Sequence, residues 1–375
     1  MRMKNSRESG IELLKIIAMF LIVLYHSSMS VTFMNGGLQV YPIVSGASTD
    51  PNVFMLNIFG YFGHLGCTIF FVCSAWFLVE STRVKSKKVV DMLSDVWTVS
   101  VLVFFIFFVR DQRVATKDTV INALFPNTLA VNWYITCYLL FYLIHPLLNL
   151  IIRNISKRTH LLIVALSIFL YYLVSVIFNS PLFYVTNLVM FMIIYFLIAY
   201  MKKYMRGFSE NLKANVVLLV VGLIGFLGEF SIMNFLGLQS EAISAELLRF
   251  NNNENFFIVM IAVSLFNLFR RMKKIIPVIN YISSLTLFIY IIHENTYLAG
   301  NIRNKAAAKL INTVPYTNLI PAILLFAAGV FVFAMVVSMV YKLIVKRPAN
   351  FLTEKIYLGI KNCYLAIEKK IMSIE

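Results

Sequence analysis

Charge is scarce in this chain: 13% of its 375 residues are Asp, Glu, Lys or Arg, where a soluble domain carries about 25%. Acids are scarcer than bases, 17 against 33, so the formal net charge is +16. Cysteine is sparse too. Cys67, Cys73 and Cys137 lie in apolar segments and Cys363 in a basic tail, so neither an extracellular disulfide nor a Cys/His metal cluster is expected. The sequence has no glycine-rich phosphate loop, no serine-nucleophile elbow and no zinc-helix motif, which removes support for hydrolase and nucleoside-triphosphatase readings. No small-residue cleavage site follows the first apolar run cleanly, so that run is expected to remain as a spanning helix rather than leave as a signal peptide.

Apolar residues fill the space that charge leaves, at 60% of the chain. Judged against roughly 20 residues per crossing, ten runs suit a bilayer, near 11–30, 56–79, 93–109, 133–152, 160–178, 183–201, 214–232, 255–269, 280–299 and 319–341. The third and eighth are the shortest. Basic residues alternate between the connections: 26 of the 33 Lys and Arg fall on one side, leaving seven on the other, while Val31–Asn52 has neither. The positive-inside rule then places both termini in the cytoplasm and Val31–Asn52 outside. The excess of positive charge is read as topology and contact with anionic lipid headgroups, not as nucleic-acid binding. The expected fold is an all-α integral plasma-membrane bundle of about ten helices over residues 1–345. A basic amphipathic tail follows over 346–375, with Leu352, Ile356, Cys363, Ile367 and Ile371 at helical spacing on the inner membrane surface. Gly222, Gly225 and Gly228 are expected to allow close helix packing.

Against that background, ionisable residues inside spans stand out, because they are costly there and mark functional paths by default. In the first span Lys15 precedes His26 by eleven residues, about three turns, which puts both on nearly one face roughly 16 Å apart. Glu8, Glu12, Lys15, Met19, Ile22 and His26 follow a 4-3-4-3-4 spacing down that face. Imidazole titrates near neutrality and can take a proton from a hydroxyl and return it. His26 is therefore the candidate catalytic base, against the plainer alternative of a buried histidine bonded to a neighbouring helix. Lys15 could hold an anionic group of a cofactor, against simple snorkelling to the interface.

Further candidates follow. Tyr290 and His293 share a face of the ninth span at the outer end, with Glu294 next to them. His64 and Trp133 lie at the outer ends of spans two and four; with Tyr290 and His293 they form the candidate substrate-binding set. Trp133 and Tyr134 are read first as ordinary belt aromatics, with substrate stacking as the alternative. His145 beside Pro146 is expected to satisfy backbone groups freed at a kink. Glu229 could be a site acid, and Asp95 could pair with a basic residue at the inner end of span three.

Four stretches together resemble the membrane acyltransferase-3 family. Ser6 through His26 resembles its first helix, where the family places arginine, ten residues and histidine; here Lys15 takes the arginine position. Gly63 through Leu78 resembles its second helix, with Ala75 where the family has glycine. Asn132-Trp133-Tyr134 through Pro146-Leu-Leu resembles its Trp-Tyr … Pro-Leu-Leu helix, and Ser284 through His293 its late Tyr-x-x-His helix. The resemblance implies an O-acyltransferase that takes acyl groups, usually acetyl, from cytoplasmic acyl-CoA. The acceptor would be a hydroxyl of an envelope polysaccharide or its lipid-linked precursor, with polysaccharide assembly proteins as possible partners and no metal. Two departures are visible or expected: only Lys87 and Lys88 lie near the family's paired-arginine position, and no extracytoplasmic domain is expected after the last span. The rival reading is a multi-pass glycan or lipid transporter, which should show broken helices in matched halves; no such symmetry is evident in the sequence.

Overall fold

The computed structural model describes residues 8–32, 46–127, 132–174, 187–244 and 255–372, and within 363–372 only the backbone. Most of the Val31–Asn52 loop, the junction of the fifth and sixth expected spans, and the side chains of Cys363, Ile367 and Ile371 lie outside that description. Among the described residues every regular element is helical.

Helices α1 (Ser9–Thr32), α2 (Pro51–Leu78), α3 (Ser86–Arg110), the short α4 (Lys117–Leu124), α5 (Trp133–Asn154) and α6 (Lys157–Ile168) form the first half. The second half holds α7 (Asn187–Tyr204), α8 (Leu212–Gly237), α9 (Phe256–Phe269), α10 (Pro277–Ser283), α11 (Thr286–His293), α12 (Asn304–Thr313), α13 (Leu319–Val340) and α14 (Lys346–Met372). The described part of each of the ten expected apolar runs is largely helical, and among the described residues seven helices are long and apolar enough to cross a membrane: α1, α2, α3, α5, α7, α8 and the run from Tyr316 through α13. The other three are shorter. Helix α6 passes into a π turn at Phe169–Val174, α9 has 14 residues, and the Pro277–His293 run is split into α10 and α11.

Helix α1 runs through the bundle, and α2 packs along it because glycines permit close approach. A Cβ at Gly66 would stand 2.5 Å from the Ala18 carbonyl oxygen, and one at Gly63 2.5 Å from the Tyr25 ring. The start of α1 is pinned to α10 and the loop before it. There the Ser9 amide donates to the Lys274 carbonyl at 3.0 Å and the Ser9 hydroxyl donates to Asn280 at 2.8 Å. Gly10 faces the Phe269 carbonyl, which a Cβ would meet at 2.0 Å. In α8, Gly222 and Gly225 do face α9, against Ile261 and Phe257, but Gly228 has open space around it.

Proline inside α5 leaves one backbone acceptor without its helical donor. Pro146 has no amide to offer the carbonyl four residues back, which is that of Tyr142. His145 Nδ1 hydrogen-bonds that same carbonyl, and the ring is fully buried. An unmet buried carbonyl would cost about 1–3 kcal/mol.

Helix α14 starts at Lys346, the first residue of the expected tail. A π turn at Tyr341–Val345 carries α13 directly into α14. Helix α14 lies along α3, where Thr353 meets Ser94 at 2.6 Å, Tyr357 meets Ser86 at 2.8 Å and Lys346 pairs with Asp95 at 2.8 Å. Phe351, Leu352 and Ile356 are exposed, in keeping with an amphipathic helix. Asp95 thus finds its basic partner in the helix that follows the last span.

Candidate functional site

The face read on α1 lines a cavity. Glu12, Lys15, Met19 and Ile22 form one wall of a space of about 350 Å³. Phe70 and Ser74 of α2, Lys88 and Met92 of α3, and Tyr134, Ile135 and Tyr138 of α5 supply further walls. The α10–α11 run closes it with Ser283, Ser284, Thr286, Leu287 and Tyr290. The cavity is graded along α1. Lysines, a carboxylate and hydroxyls crowd the end nearest the start of α1, and aliphatic and aromatic side chains the other.

At the polar end Lys15 is only partly exposed and pairs with Glu12 at 3.1 Å, three residues back on the same helix. Glu12 in turn accepts a hydrogen bond from the Ser283 hydroxyl. Lys88 comes from α3, donates to the Tyr138 hydroxyl at 3.1 Å and lies over the Tyr142 ring. Lys342 donates to Ser284 at 2.6 Å. Glu8, the first residue of the sequence pattern, turns away to pair with Lys273 at the exposed surface. At the apolar end Tyr134 and Tyr290 stand with ring centroids 6.2 Å apart, and the Tyr290 ring lies 5.9 Å from that of His293.

One turn beyond Ile22 is His26. Its Nδ1 lies 3.1 Å from Nε2 of His293 and 3.4 Å from Oε1 of Glu294. The other ring nitrogen of His293 contacts the Ile289 carbonyl at 2.7 Å. A carbonyl only accepts, so His293 Nδ1 carries its hydrogen and, in the neutral ring, Nε2 presents a lone pair. That lone pair accepts the Nδ1–H of His26. The chain of bonds therefore leaves the lone pair of neutral His26 on Nε2, the form required of a base.

Arg303 locks this group. Its Nη1 donates to Glu294 Oε1 and, at 2.8 Å, to the His293 carbonyl, while its Nε donates to Ser30 at 3.0 Å. Ser30 closes the ring by donating to the His26 carbonyl at 2.8 Å. Arginine suits this work because its fork presents several donors in fixed geometry. Burying the Arg303–Glu294 pair costs desolvation, which the hydrogen bonds to Ser30 and His293 offset.

Of the sequence candidates, His26, His293 and Tyr290 come together, and Lys15 lies at the far end of the cavity that Tyr290 closes. His64 sits beside Tyr25, ring centroids 6.1 Å apart. Trp133 does not line the cavity; its indole packs edge-on against Tyr134 at 5.7 Å. Glu229 lies in α8 and accepts from Asn255 at 2.9 Å, so it belongs to a helix-end contact with the start of α9 rather than to the histidine pair. Sequence reasoning missed Arg303 and Lys88 as site residues and noted Glu294 only as a neighbour. The signal for Arg303 was present: it is one of the seven basic residues on the sparsely charged side.

The walls of the cavity come from all four stretches that carry the sequence resemblance, and residues 8–342 match the acyltransferase domain of the acyltransferase-3 family. The chain belongs to that family. No curated protein and no solved structure matches it. As an acyltransferase-3 protein it is an acyltransferase enzyme, and its apolar helices make it a multi-pass membrane protein.

Proposed function

We infer that this acyltransferase moves an acyl group, acetyl in the simplest case, from cytoplasmic acyl-CoA to a hydroxyl of an envelope polysaccharide or its lipid-linked precursor at the plasma membrane. The observation that carries this reading is the alignment along α1: a cation-lined cavity mouth at Lys15, an apolar cavity up to Ile22 and Tyr290, and the His26–His293 pair one turn further on. A ligand with anionic phosphates at one end and a slender thioester arm at the other has the matching polarity.

Lys15 and Lys88 offer ammonium groups to phosphate, with Lys342 held near the same rim. The acyl arm would lie against the apolar lining from Met19 to Tyr290. His26 Nε2 takes the proton of the acceptor hydroxyl as its oxygen bonds the thioester carbonyl carbon. Glu294 stabilises the resulting imidazolium from 3.4 Å, and His293 keeps the ring turned so that Nδ1 donates. When the carbon–sulfur bond breaks, His26 returns the proton to the leaving thiolate. One ester forms, one thioester is lost, and the base is regenerated. General-base help of this kind is worth about 10²–10⁴-fold in rate. In this reading His64 of α2, beside Tyr25, and Trp133 at the start of α5 would lie on the side from which the acceptor sugar approaches.

The test is release of free CoA by purified protein in lipid discs, with acetyl-CoA and with or without glycan extract from the producing cells. Glycan-dependent release, with an ester appearing on the glycan by mass spectrometry, supports the reading. Glycan that remains unmodified while free CoA accumulates at the same rate without it would count against a sugar acceptor.

A further inference from the structure

We propose that His26 Nδ1, His293 Nε2 and Glu294 Oε1 form an inhibitory binding site for a single zinc ion. The three atoms lie 3.1, 3.4 and 3.9 Å from one another. Tetrahedral zinc has bonds of about 2.0–2.1 Å to nitrogen and oxygen, which puts its ligand atoms roughly 3.3–3.4 Å apart. The triangle already has that size, so an ion fits with shifts of a few tenths of an ångström. Two imidazoles and one carboxylate are also a donor set that zinc favours, with a fourth position left open.

The surroundings supply what a ligand histidine needs. His293 Nδ1 is tied to the Ile289 carbonyl, which fixes the ring and aims the Nε2 lone pair inward, as the outer bond of a metal-bound histidine does. His293 is fully buried, whereas about a fifth of the His26 and Glu294 side chains is exposed, so an ion would meet these two ligands first. Arg303 holds the carboxylate in place and also neutralises it. Zinc must share Oε1 with the guanidinium, and among the described residues no further carboxylate joins the triangle, which limits its affinity and favours hydroxide or another anion in the fourth position. No Cys/His spacing announces the site, because its two histidines are 267 residues apart.

Inhibition follows from one proton. In the metal-free pair the His26 hydrogen is on Nδ1. Zinc takes the Nδ1 lone pair, so that hydrogen must move to Nε2, with no net proton gained or lost by the ring. Nε2 then has no lone pair to accept a hydroxyl proton. This consequence rests on His26 being the base; the binding itself does not.

The test uses the full chain, purified in detergent, stripped with a chelator and titrated with cobalt(II) as a coloured stand-in and with zinc. We expect one cobalt per chain, the visible absorption of tetrahedral cobalt, and displacement by zinc. Glu294→Gln and His293→Gln should weaken binding at least tenfold, while His160→Ala, at a buried histidine outside the site, should retain it. Cobalt bound equally by wild type and Glu294→Gln, or no stoichiometric binding at all, would overturn the site. Because a variant could misfold, the wild-type protein gives a second measure: saturating zinc should slow carbethoxylation of His26, read by mass spectrometry, and unchanged labelling would overturn the site as well. In the acyl-transfer assay, turnover should fall with the same half-saturation as binding. Zinc bound at these residues with turnover intact would overturn the inhibitory role while leaving the site.

Discussion

Nδ1 of His26 lies 3.1 Å from Nε2 of His293, although the two residues are 267 positions apart in the chain. The contact decides which nitrogen of His26 can act. With His293 fixed by the Ile289 carbonyl and Glu294 beside the same Nδ1, the working lone pair of His26 is on Nε2. Polar groups at such depth are expensive in a membrane bundle, and here each is bound to another. The acyl-transfer reading makes these contacts testable one at a time.

Glu294 is expected to act through His26. Glu294→Gln keeps shape and can still bond Arg303, but removes the negative charge 3.4 Å from the imidazole. Turnover should fall by roughly 10²-fold, at the lower end of the value of general-base help, with little change in the acceptor KM. Unchanged kcat in Glu294→Gln would show that the carboxylate only anchors Arg303.

Lys15 is expected to serve the donor. Lys15→Arg should retain activity, because the charge stays and a guanidinium also binds phosphate. Lys15→Ala should raise the KM for acyl-CoA about 10-fold or more, the value of one hydrogen bond to a charged group, and leave the acceptor KM nearly unchanged. Steady-state kinetics with each substrate varied separately distinguishes this from a lysine that merely anchors the helix, for which both KM values would stay put.

The close contact of α1 and α2 is expected to be intolerant of even a methyl group. A Cβ at Gly66 would meet the Ala18 backbone oxygen at 2.5 Å, so Gly66→Ala should lower the melting temperature and the yield of folded protein. Gly228 has open space, and Gly228→Ala should leave stability unchanged or raise it by up to about 1 kcal/mol through helix propensity. Equal melting temperatures for the two variants would contradict the packing.

Orientation rests on the basic residues. Tags before Arg2 and after Glu375 should be shielded from impermeant reagents in intact cells, and a cysteine introduced at Gln39 should label. Labelling of either terminus from outside would invert the assignment of donor and acceptor sides.

Much of this site was legible because α1 is regular. The 3–4 spacing of Glu12, Lys15, Met19, Ile22 and His26 dictates a common face, and the first four do line one cavity. Tyr290 and His293 were legible for the same reason. Spacing within one helix cannot report which helices meet, so the pairing of His26 with His293 was open until the fold was seen. Arg303 shows in the sequence only as a basic residue on the sparsely charged side; it lies outside the apolar runs, in a segment whose own pattern says nothing of Ser30 or Glu294. Helix count was legible only in part. Apolar runs mark ten segments, but hydropathy does not register the break between Ser283 and Thr286 or the π turn after Ile168.

The most direct measurement is the turnover of His26→Gln in membranes, at an abundance matched to wild type, read as ester formed on the glycan. Glutamine can hydrogen-bond to His293 but cannot carry a proton between hydroxyl and thiolate at neutral pH. Loss of the general base predicts a fall of about 10²–10⁴-fold, with His26→Ala equally inactive and both variants inserting normally. Near-normal turnover of His26→Gln would contradict the assignment and leave His26 as a residue that packs the outer end of the bundle.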